Sequence, residues 1–177
     1  MLINNNDCVV VAIDFQEKLV RMLNEKSPAI KMSKLIKAAK VLEIPILVTE
    51  QYPKGLGYTI PEFELSENSA IEKTAFSALQ ENDFCNALVK TGRKTVIIAG
   101  IETHICVYQT VVELLDNGFN VYVLADCCAS RNQSDYETGI NLMKQIGAKI
   151  TSLEIILFEL LKTSHHANFK EIQGLIK

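Results

Sequence analysis

Short, β-branched apolar runs alternate with amphipathic segments along this chain. Residues 8–13 (Cys-Val-Val-Val-Ala-Ile) are continuously apolar, which is typical of a strand buried on both faces of a parallel sheet. Five further runs follow the same pattern, at residues 44–48, 70–72, 95–100, 121–125 and 149–152. This alternation predicts a three-layer α/β fold, in which helices cover both faces of a doubly wound, mostly parallel, Rossmann-like sheet of about six strands.

The sequence predicts one domain over residues 1–177, because it contains no linker and no low-complexity segment. Three glycines each follow a helical pattern and precede a predicted strand, as left-handed helix caps do: Gly92, Gly118 and Gly147. Residues 50–69 form the longest stretch without periodicity, and a loop of this length is often functional. Residues 153–177 are predicted to form two short helices that are separated near His165 and His166.

The composition excludes several classes of partner. A formal net charge of -3 gives no electrostatic basis for binding nucleic acid or an anionic membrane surface. No apolar run is long enough to cross a bilayer, and the polar N-terminus does not resemble a signal peptide. An odd number of cysteines predicts free, mostly buried thiols in a cytoplasmic protein, because a vicinal disulfide between Cys127 and Cys128 would be strained.

Polar side chains follow the predicted strands, where ligands bind in open parallel sheets. Asp14 follows the first strand, Lys73 follows the short strand at 70–72, and the segment leading to Cys106 follows the strand at 95–100. In the usual doubly wound order the first strand neighbours the one that begins the second half of the sheet. We therefore expect Asp14 and the Cys106 segment to lie side by side.

Cys106 is also predicted to lie near the start of a helix, where backbone N–H groups favour an anion. A neighbouring lysine would lower the thiol pKa further, and a carboxylate could accept the thiol proton. These residue types together suit an acyl-transfer site. The alternative is that Cys106 is a small core residue, since buried cysteines commonly have no other role.

Three segments in order resemble the isochorismatase-like cysteine hydrolase superfamily. Residues 11–16 are similar to its hydrophobic strand followed by D-x-Q, residues 72–77 to its K-x-x-F-S segment, and residues 99–107 to its G-x-x-T-x-x-C-V signature. Residues 48–57 resemble the uncharacterised subgroup of isochorismatase domain-containing proteins. That loop contains no Asp and no His, unlike the metal-binding loop of nicotinamidases, so neither a metal nor another cofactor is expected.

The resemblance implies a catalytic triad of Asp14, Lys73 and Cys106. It also implies a cis peptide bond between Ile101 and Glu102, with an oxyanion hole formed by the backbone amides of Glu102 and Cys106. The implied activity is hydrolysis of a C–N bond, in an amide or carbamoyl group of a small molecule, through an acylated cysteine. The resemblance further implies a homo-oligomer, from dimer to octamer.

Seven residues are candidates for the substrate pocket: Phe15, Gln16, Glu50, Tyr52, Phe76, Ile101 and Thr103. The three aromatic side chains could equally be core residues, and Gln16 could equally lie on a helix surface. For Glu50, contact with substrate and pairing with a nearby backbone amide are both open. His104 is not expected to pair with Cys106, because helical side chains at positions i and i+2 point apart.

The sequence also predicts one side-chain pair and offers a candidate oligomer interface. Asp126 and Arg131 are expected to form a structural pair below the cleft, with binding of an anionic group by Arg131 as the alternative. Apolar residues of the C-terminal helices could supply an oligomer interface, for example Ile155, Ile156, Leu160 and Leu161. Two rival functions remain open beside the hydrolase: a non-catalytic oligomeric scaffold of the same fold, and a thiol redox protein that uses Cys106 or the Cys127–Cys128 pair.

Overall fold

The computed structural model describes residues 2–66 and 69–177 as a parallel six-stranded sheet with flanking helices, and residues 67 and 68 of the predicted long loop lie outside the described residues. The strands are β1 (Cys8–Ile13), β2 (Ile46–Gln51), β3 (Ile71–Lys73), β4 (Thr95–Gly100), β5 (Asn120–Leu124) and β6 (Lys149–Thr151). Their order across the sheet is β3-β2-β1-β4-β5-β6, and every neighbouring pair is parallel. The α/β, doubly wound prediction is confirmed.

The helices follow the predicted alternation. They are α1 (Glu17–Met22), α2 (Ser27–Val41), α3 (Pro53–Leu56), α4 (Asn82–Thr91), α5 (Tyr108–Asp116), α6 (Gln133–Gln145), α7 (Leu153–Leu161) and α8 (Phe169–Ile176). Helix α2 packs against α7 and α8, while α5 packs against α6. The turn between α7 and α8 contains His165 and His166, as predicted.

The predicted strand bounds hold at β1 and β4 and shift elsewhere. Strand β2 covers Ile46–Gln51 and not residues 44–48, because its polar end continues the hydrogen-bonded ladder beyond the apolar run. Strand β3 covers Ile71–Lys73, so Lys73 is its last residue and does not follow it. Strand β5 begins one residue earlier than predicted and β6 ends one earlier, at Thr151.

The centre of the sheet is the contact between β1 and β4, which pair in register from Cys8–Thr95 to Ile13–Gly100. All residues of both strands are buried. Gly100 allows the two strands and the following helix to approach closely, because a Cβ atom there would lie 2.5 Å from Ile13 Cβ and 2.8 Å from Val107 Cγ2. The carboxyl ends of β1 and β4 therefore meet with little space between them.

The C-terminal helices complete the core of the chain. Ile156, Leu160 and Leu161 are buried, and only Ile155 of the proposed interface residues is exposed. The expectation that these residues form an apolar surface for self-association is therefore wrong for three of the four, since they pack inside the chain. All three predicted cap glycines have positive φ, from 67° at Gly92 to 105° at Gly147.

Several features that would indicate other classes are not found in the described part of the chain. No helix there is long and apolar enough to cross a membrane. Within the same residues, no group of three or more His, Cys, Asp or Glu side chains is placed to hold a metal ion. The five cysteines are free thiols, and Cys127 and Cys128 are not joined to each other.

Candidate active site

A buried ion pair lies at the carboxyl ends of β1 and β3. Lys73 Nζ is 2.8 Å from Asp14 Oδ2, and both side chains are fully buried. Ion pairs without solvent exposure are uncommon, because removing both charges from water costs several kcal/mol per ion. A pair in this position, at the ligand-binding edge of the sheet, indicates a functional site.

The backbone at Asp14 adopts an unusual conformation. Its φ of 55° lies in the left-handed region that few non-glycine residues occupy. Two contacts with Thr49 of β2 hold it there: Asp14 N donates to Thr49 O at 3.2 Å, and Thr49 Oγ1 donates to Asp14 Oδ1 at 2.7 Å. Oδ1 thus accepts a hydrogen bond from Thr49, whereas Oδ2 has the ion pair with Lys73 but no hydrogen bond within the described residues.

The Lys73 ammonium group is enclosed by acceptors. Besides its ion pair with Asp14, it donates to Gln51 Oε1 of β2, to Ala75 O at 3.2 Å and to Phe76 O at 3.1 Å. An ammonium has three N–H donors. With four acceptors around it, Lys73 has no donor left for a substrate, so its role in the site is to neutralise and orient Asp14.

Cys106 lies in a π-helical turn over Thr103–Val107 that leads directly into α5. Single π-helical turns are rare and are frequent at functional sites. The Cys106 side chain is buried, and its Sγ lies 4.0 Å from Gln51 Oε1. It also interacts with the side chains of Asp14 and Lys73. The structure thus brings together the three residues of the triad that the resemblance implies.

The expected low pKa of the thiol is wrong. Burial, and after it the negative charge of Asp14, raise the pKa of Cys106 to about 12, while Lys73 opposes the shift only in part. The main physical reason is that burial removes the thiolate from water, and the attraction of Lys73 is smaller than the combined effect of burial and the Asp14 charge. At neutral pH the resting side chain is a thiol.

The peptide bond between Ile101 and Glu102 is cis, as expected. Ile101 is held on both sides, since its N–H donates to Ile13 O at 3.0 Å and the residue forms a parallel bridge with Ala129. Thr103 N donates to Ala129 O at 3.0 Å. Between them, the Glu102 N–H makes no hydrogen bond within the described residues, so it is free to donate to a ligand atom.

The Glu102 carboxylate, and not that of Asp126, is the partner of Arg131. Its carboxylate accepts Arg131 Nε at 2.7 Å and Arg131 N at 3.1 Å. Asp126 pairs instead with Lys31 at 3.1 Å and accepts Leu153 N at 2.9 Å. The expected Asp126–Arg131 pair is therefore wrong, because the bridge between Ile101 and Ala129 brings Arg131 to Glu102.

His104 does not reach Cys106, as expected from their spacing along the chain. Its Nδ1 atom lies 3.0 Å from Ser130 Oγ and 3.6 Å from Glu102 Oε2. The ring therefore belongs to the same polar cluster as Arg131, on the side of the turn that faces α6.

The predicted pocket residues occupy three kinds of position. Phe15 is fully buried against Phe63, with ring centroids 5.2 Å apart. Gln16 is also fully buried; its Nε2 donates to Gly57 O at 2.7 Å and Gln51 O at 3.0 Å, and its Oε1 accepts Gln51 N at 2.7 Å. Neither side chain lies on an open surface, and Gln16 is committed to holding the loop after β2.

Of the two roles that the sequence leaves open for Glu50, the structure shows pairing with a backbone amide. Its Oε1 accepts Thr59 N at 2.6 Å and Thr59 Oγ1 at 2.7 Å, so it pairs with a nearby backbone amide. Since strand side chains alternate, Glu50 lies on the opposite face of β2 from Thr49 and Gln51. Its carboxylate lines a separate cavity of about 480 Å³.

Tyr52 and Phe76 are more than half exposed and flank the Lys73 side of the site. Tyr52 also lines a cavity of about 200 Å³ together with Lys73 and Glu81. Ile101 and Thr103 are buried beside the nucleophile turn. The Thr103 hydroxyl has no hydrogen-bond partner within the described residues.

Three residues that contact the triad or its neighbours were not predicted as site residues: Thr49, Gln51 and Arg131. The first two follow the apolar run of β2, and polar side chains at the carboxyl end of a parallel strand are a usable signal. The predicted strand at residues 44–48 ends before both of them. Arg131 carries no sequence signal toward Glu102, because 28 residues separate the two along the chain.

Fold and site define an open-sheet α/β protein with a thiol, an ammonium and a carboxylate at the switch point between β1 and β4. Residues 8–155 match the isochorismatase domain. Isochorismatase domain-containing protein 2 of Xenopus laevis is 36% identical over 169 residues, which cover 95% of this chain and 82% of that protein. The chain belongs to the isochorismatase family and has its hydrolase fold.

Solved structures agree with this assignment. MAR1 ribonuclease from Caenorhabditis elegans has a TM-score of 0.92 and 39% sequence identity, with 99% of this chain and 92% of that chain covered. YcaC from Pseudomonas aeruginosa, with hexane-2,5-diol and covalent acrylamide, has a TM-score of 0.90 and 25% identity over 98% and 91%. YcaC from Escherichia coli, an octameric hydrolase of unknown specificity, shares the fold at 22% identity, with a TM-score of 0.88 over 99% and 95%.

Proposed function

We propose that this protein is a cysteine-dependent hydrolase that cleaves a C–N bond, in an amide or carbamoyl group of a small molecule. The observation that carries the proposal is the buried Lys73–Asp14 ion pair, 2.8 Å long, beside the Cys106 thiol. A carboxylate that is charged, buried and adjacent to a thiol can accept its proton at the moment of attack. No metal or cofactor is needed for this chemistry.

The first step is a proton transfer from Cys106 to Asp14, coupled to attack of the sulfur on the carbonyl carbon. Because the thiol pKa is raised to about 12, attack by a preformed thiolate would use only a very small fraction of the protein at neutral pH. Asp14 therefore acts as the general base, and Lys73 keeps it oriented through their ion pair.

The second step resolves the tetrahedral intermediate. Its oxyanion is proposed to bind the backbone N–H groups of Glu102 and Cys106. The Glu102 N–H has no partner among the residues that the structure describes, which supports this assignment. Protonated Asp14 then gives the proton to the leaving nitrogen, and the C–N bond breaks to leave a Cys106 acyl-enzyme. Asp14 finally removes a proton from water as the water oxygen attacks the acyl carbon. The C–S bond then breaks, the acid leaves, and Asp14 returns the proton to sulfur, which restores the thiol.

Two comparisons bear on the substrate. Covalent acrylamide in Pseudomonas aeruginosa YcaC supports the presence of a nucleophile that small amides can approach in this fold. The name of the Caenorhabditis elegans relative raises RNA as a second substrate class. A net charge of -3 and a buried thiol both disfavour a polyanion, so the small molecule is the substrate we propose.

The test is turnover of a panel of small amides, carbamoyl compounds and RNA by the wild type and by Cys106→Ala and Cys106→Ser. Hydrolysis of a small amide or carbamoyl compound should fall by about a thousandfold or more in both variants. Cys85→Ala is the matched control, because Cys85 is half-buried on α4 and its Sγ contacts Leu79 O, which belongs to none of the three proposed catalytic residues. Undiminished turnover in both Cys106 variants would refute the proposal, and cleavage of RNA alone would replace it.

The rival functions give different results in the same assays. A redox protein should form a specific, reversible disulfide under mild oxidant, whereas a scaffold should turn over nothing in the panel. Slow alkylation of Cys106 does not favour the scaffold, because a thiol pKa of about 12 makes the resting thiol unreactive in an enzyme as well.

The assembly and location are also proposed. The fold is shared with the octameric YcaC of Escherichia coli, which supports a homo-oligomer here, and sedimentation analysis would measure its size. Five free thiols suit a reducing compartment such as the cytoplasm.

A further inference from the structure

Gln51 contacts two members of the proposed triad at once. Its Oε1 accepts a hydrogen bond from Lys73 Nζ and lies 4.0 Å from Cys106 Sγ. Its Nε2 is committed elsewhere, donating to Thr74 O at 2.8 Å. The amide oxygen is thus held toward the site by the hydrogen bond on the opposite side of the same amide group.

The backbone of Gln51 is fixed as firmly as its side chain. Gln16 donates to Gln51 O at 3.0 Å and accepts Gln51 N at 2.7 Å. In the sheet, Gln51 lies directly opposite Lys73 in the β2–β3 register, so their side chains share one face at the same level. Gln51 cannot move away from Lys73 without breaking this register.

The Gln51 side chain is uncharged, and this property suits it to contact both the Lys73 ammonium and the Cys106 thiol. Asp14 and Lys73 cancel each other's charge, and the thiol beside them is neutral in the resting state. An amide oxygen can accept from both the ammonium and the thiol without adding a charge. A carboxylate at this position would add a second buried negative charge about 4 Å from the sulfur and would oppose its ionisation.

We propose that Gln51 is a positioning residue of this site, which holds the Lys73 ammonium on Asp14 and accepts the Cys106 thiol hydrogen in the resting state. The inference rests on the proposed function. It predicts that Gln51 controls the ease with which Cys106 loses its proton, and that it does so through two contacts that both favour the thiol form. Acceptance of the thiol hydrogen stabilises the protonated form, and retention of Lys73 by Gln51 keeps that ammonium from the sulfur.

Two variants should therefore act in opposite directions. Gln51→Glu introduces a negative charge, so the thiolate becomes less stable. Gln51→Met keeps the length of the side chain but removes the acceptor, so the thiol form loses a partner and Lys73 is freer to stabilise the thiolate. General damage to the site would not produce changes of opposite sign.

The experiment measures the rate of iodoacetamide alkylation at Cys106, at pH 8.5, by mass spectrometry of the peptide that contains it. Well below the thiol pKa, each pKa unit changes the thiolate fraction tenfold. We expect alkylation about tenfold slower in Gln51→Glu and about threefold faster in Gln51→Met. Gln145→Glu and Gln145→Met, on the exposed end of α6, are matched controls and should keep the wild-type rate.

The outcomes separate this inference from the proposed function, because alkylation needs no substrate. Rates within twofold of wild type in both Gln51 variants, or a shift of both in the same direction, would overturn the role of Gln51 even if Cys106→Ala abolishes turnover. Opposite shifts would support it, and full turnover by Cys106→Ala would then refute only the hydrolytic mechanism. Circular dichroism of each variant verifies folding, and either folded variant alone tests its predicted direction.

Discussion

Arg131 Nε donates to Glu102 Oε1 at 2.7 Å, which ties the residue after the cis peptide bond to the segment that leads into α6. The Glu102 side chain is 8% exposed, whereas the Arg131 side chain is 56% exposed. The pair therefore joins a buried acceptor to a solvated cation. Its position suggests that it fixes the backbone of Glu102, whose N–H is proposed to bind the oxyanion.

Replacing Arg131 should affect catalysis more than stability. In Arg131→Ala the Glu102 carboxylate keeps the Arg131 backbone N–H but loses its cation, so the Glu102 backbone is less firmly oriented. We expect kcat to fall about tenfold, since small displacements of an oxyanion donor are costly. Because the Arg131 side chain is mostly exposed, its removal should lower the free energy of unfolding by less than about 1 kcal/mol. Steady-state kinetics and urea unfolding measure the two effects.

Arg21→Ala is the control for this prediction, because Arg21 is exposed on α1 and makes no contact with Glu102. It should match the wild type in both assays. A large loss of stability in Arg131→Ala with an unchanged kcat would show that the pair serves the fold and not the site.

Gly139 of α6 allows that helix to press directly on the nucleophile turn. A Cβ atom at this position would lie 3.0 Å from His104 Cα and 3.2 Å from the Thr103 carbonyl carbon, both of which are backbone atoms. Gly139→Ala should therefore push the turn away, with a loss of about 1–3 kcal/mol of stability from overpacking and a lower kcat. Thermal unfolding and turnover of the same samples test both parts.

Gly174 offers a matched comparison on α8. A Cβ atom there would meet no heavy atom within 4 Å, and the residue is inside a helix. Gly174→Ala should stabilise the protein by about 0.5–1 kcal/mol, because alanine loses less conformational entropy in a helix. Equal effects at Gly139 and Gly174 would show that contact with the turn is not what makes Gly139 important.

The sequence predicts the centre of the sheet better than its edges. Strands β1 and β4 are continuous apolar runs, and the structure confirms their bounds because burial on both faces requires such residues throughout. Strand β2 ends in Thr49, Glu50 and Gln51, which break the apolar pattern. These polar residues belong to the strand because their side chains have partners in the site and in the neighbouring loop.

The chemistry of the site was less predictable than its location. The carboxyl ends of the strands place Asp14, Lys73 and Cys106 near one another, and motif resemblance names them. The thiol pKa depends on burial and on how the charge of Lys73 is shared, neither of which a sequence encodes locally. The partner of Arg131 likewise depends on the bridge between Ile101 and Ala129, which forms only in the folded chain.

Thr49 should matter for the stability of the buried carboxylate. Thr49→Val keeps the shape of the side chain but removes the hydroxyl that donates to Asp14 Oδ1 at 2.7 Å. A buried, charged acceptor that loses its donor costs about 1–3 kcal/mol, which corresponds to a Tm about 2–10 °C lower in a chain of this size. Calorimetry measures the shift, and Thr49→Ser, which restores the hydroxyl, should recover most of it. An unchanged Tm in Thr49→Val would contradict the importance of this contact.

Buried thiols should make the protein lose stability in alkaline solution. Burial raises the pKa of Cys8 to about 11, and the pKa values of Cys106 and Cys128 to about 12, from an ordinary value of 9.0. Above pH 9 the unfolded chain releases these protons while the folded chain retains them, so the free energy of unfolding falls as pH rises toward the folded-state pKa values. Each such thiol should contribute a loss of about 1 kcal/mol per pH unit in this range.

Cys8→Ala isolates one of these contributions at the start of β1. Its free energy of unfolding, measured in urea at pH 8.5 and pH 10, should fall by about 1 kcal/mol less than that of the wild type over the same interval. Val10→Ala, in the same buried strand, removes apolar contacts but no titrating group and should keep the wild-type pH dependence. If Cys8→Ala and Val10→Ala lose stability with pH in parallel with the wild type, the Cys8 thiol does not hold its proton through burial, and the shifted pKa is wrong.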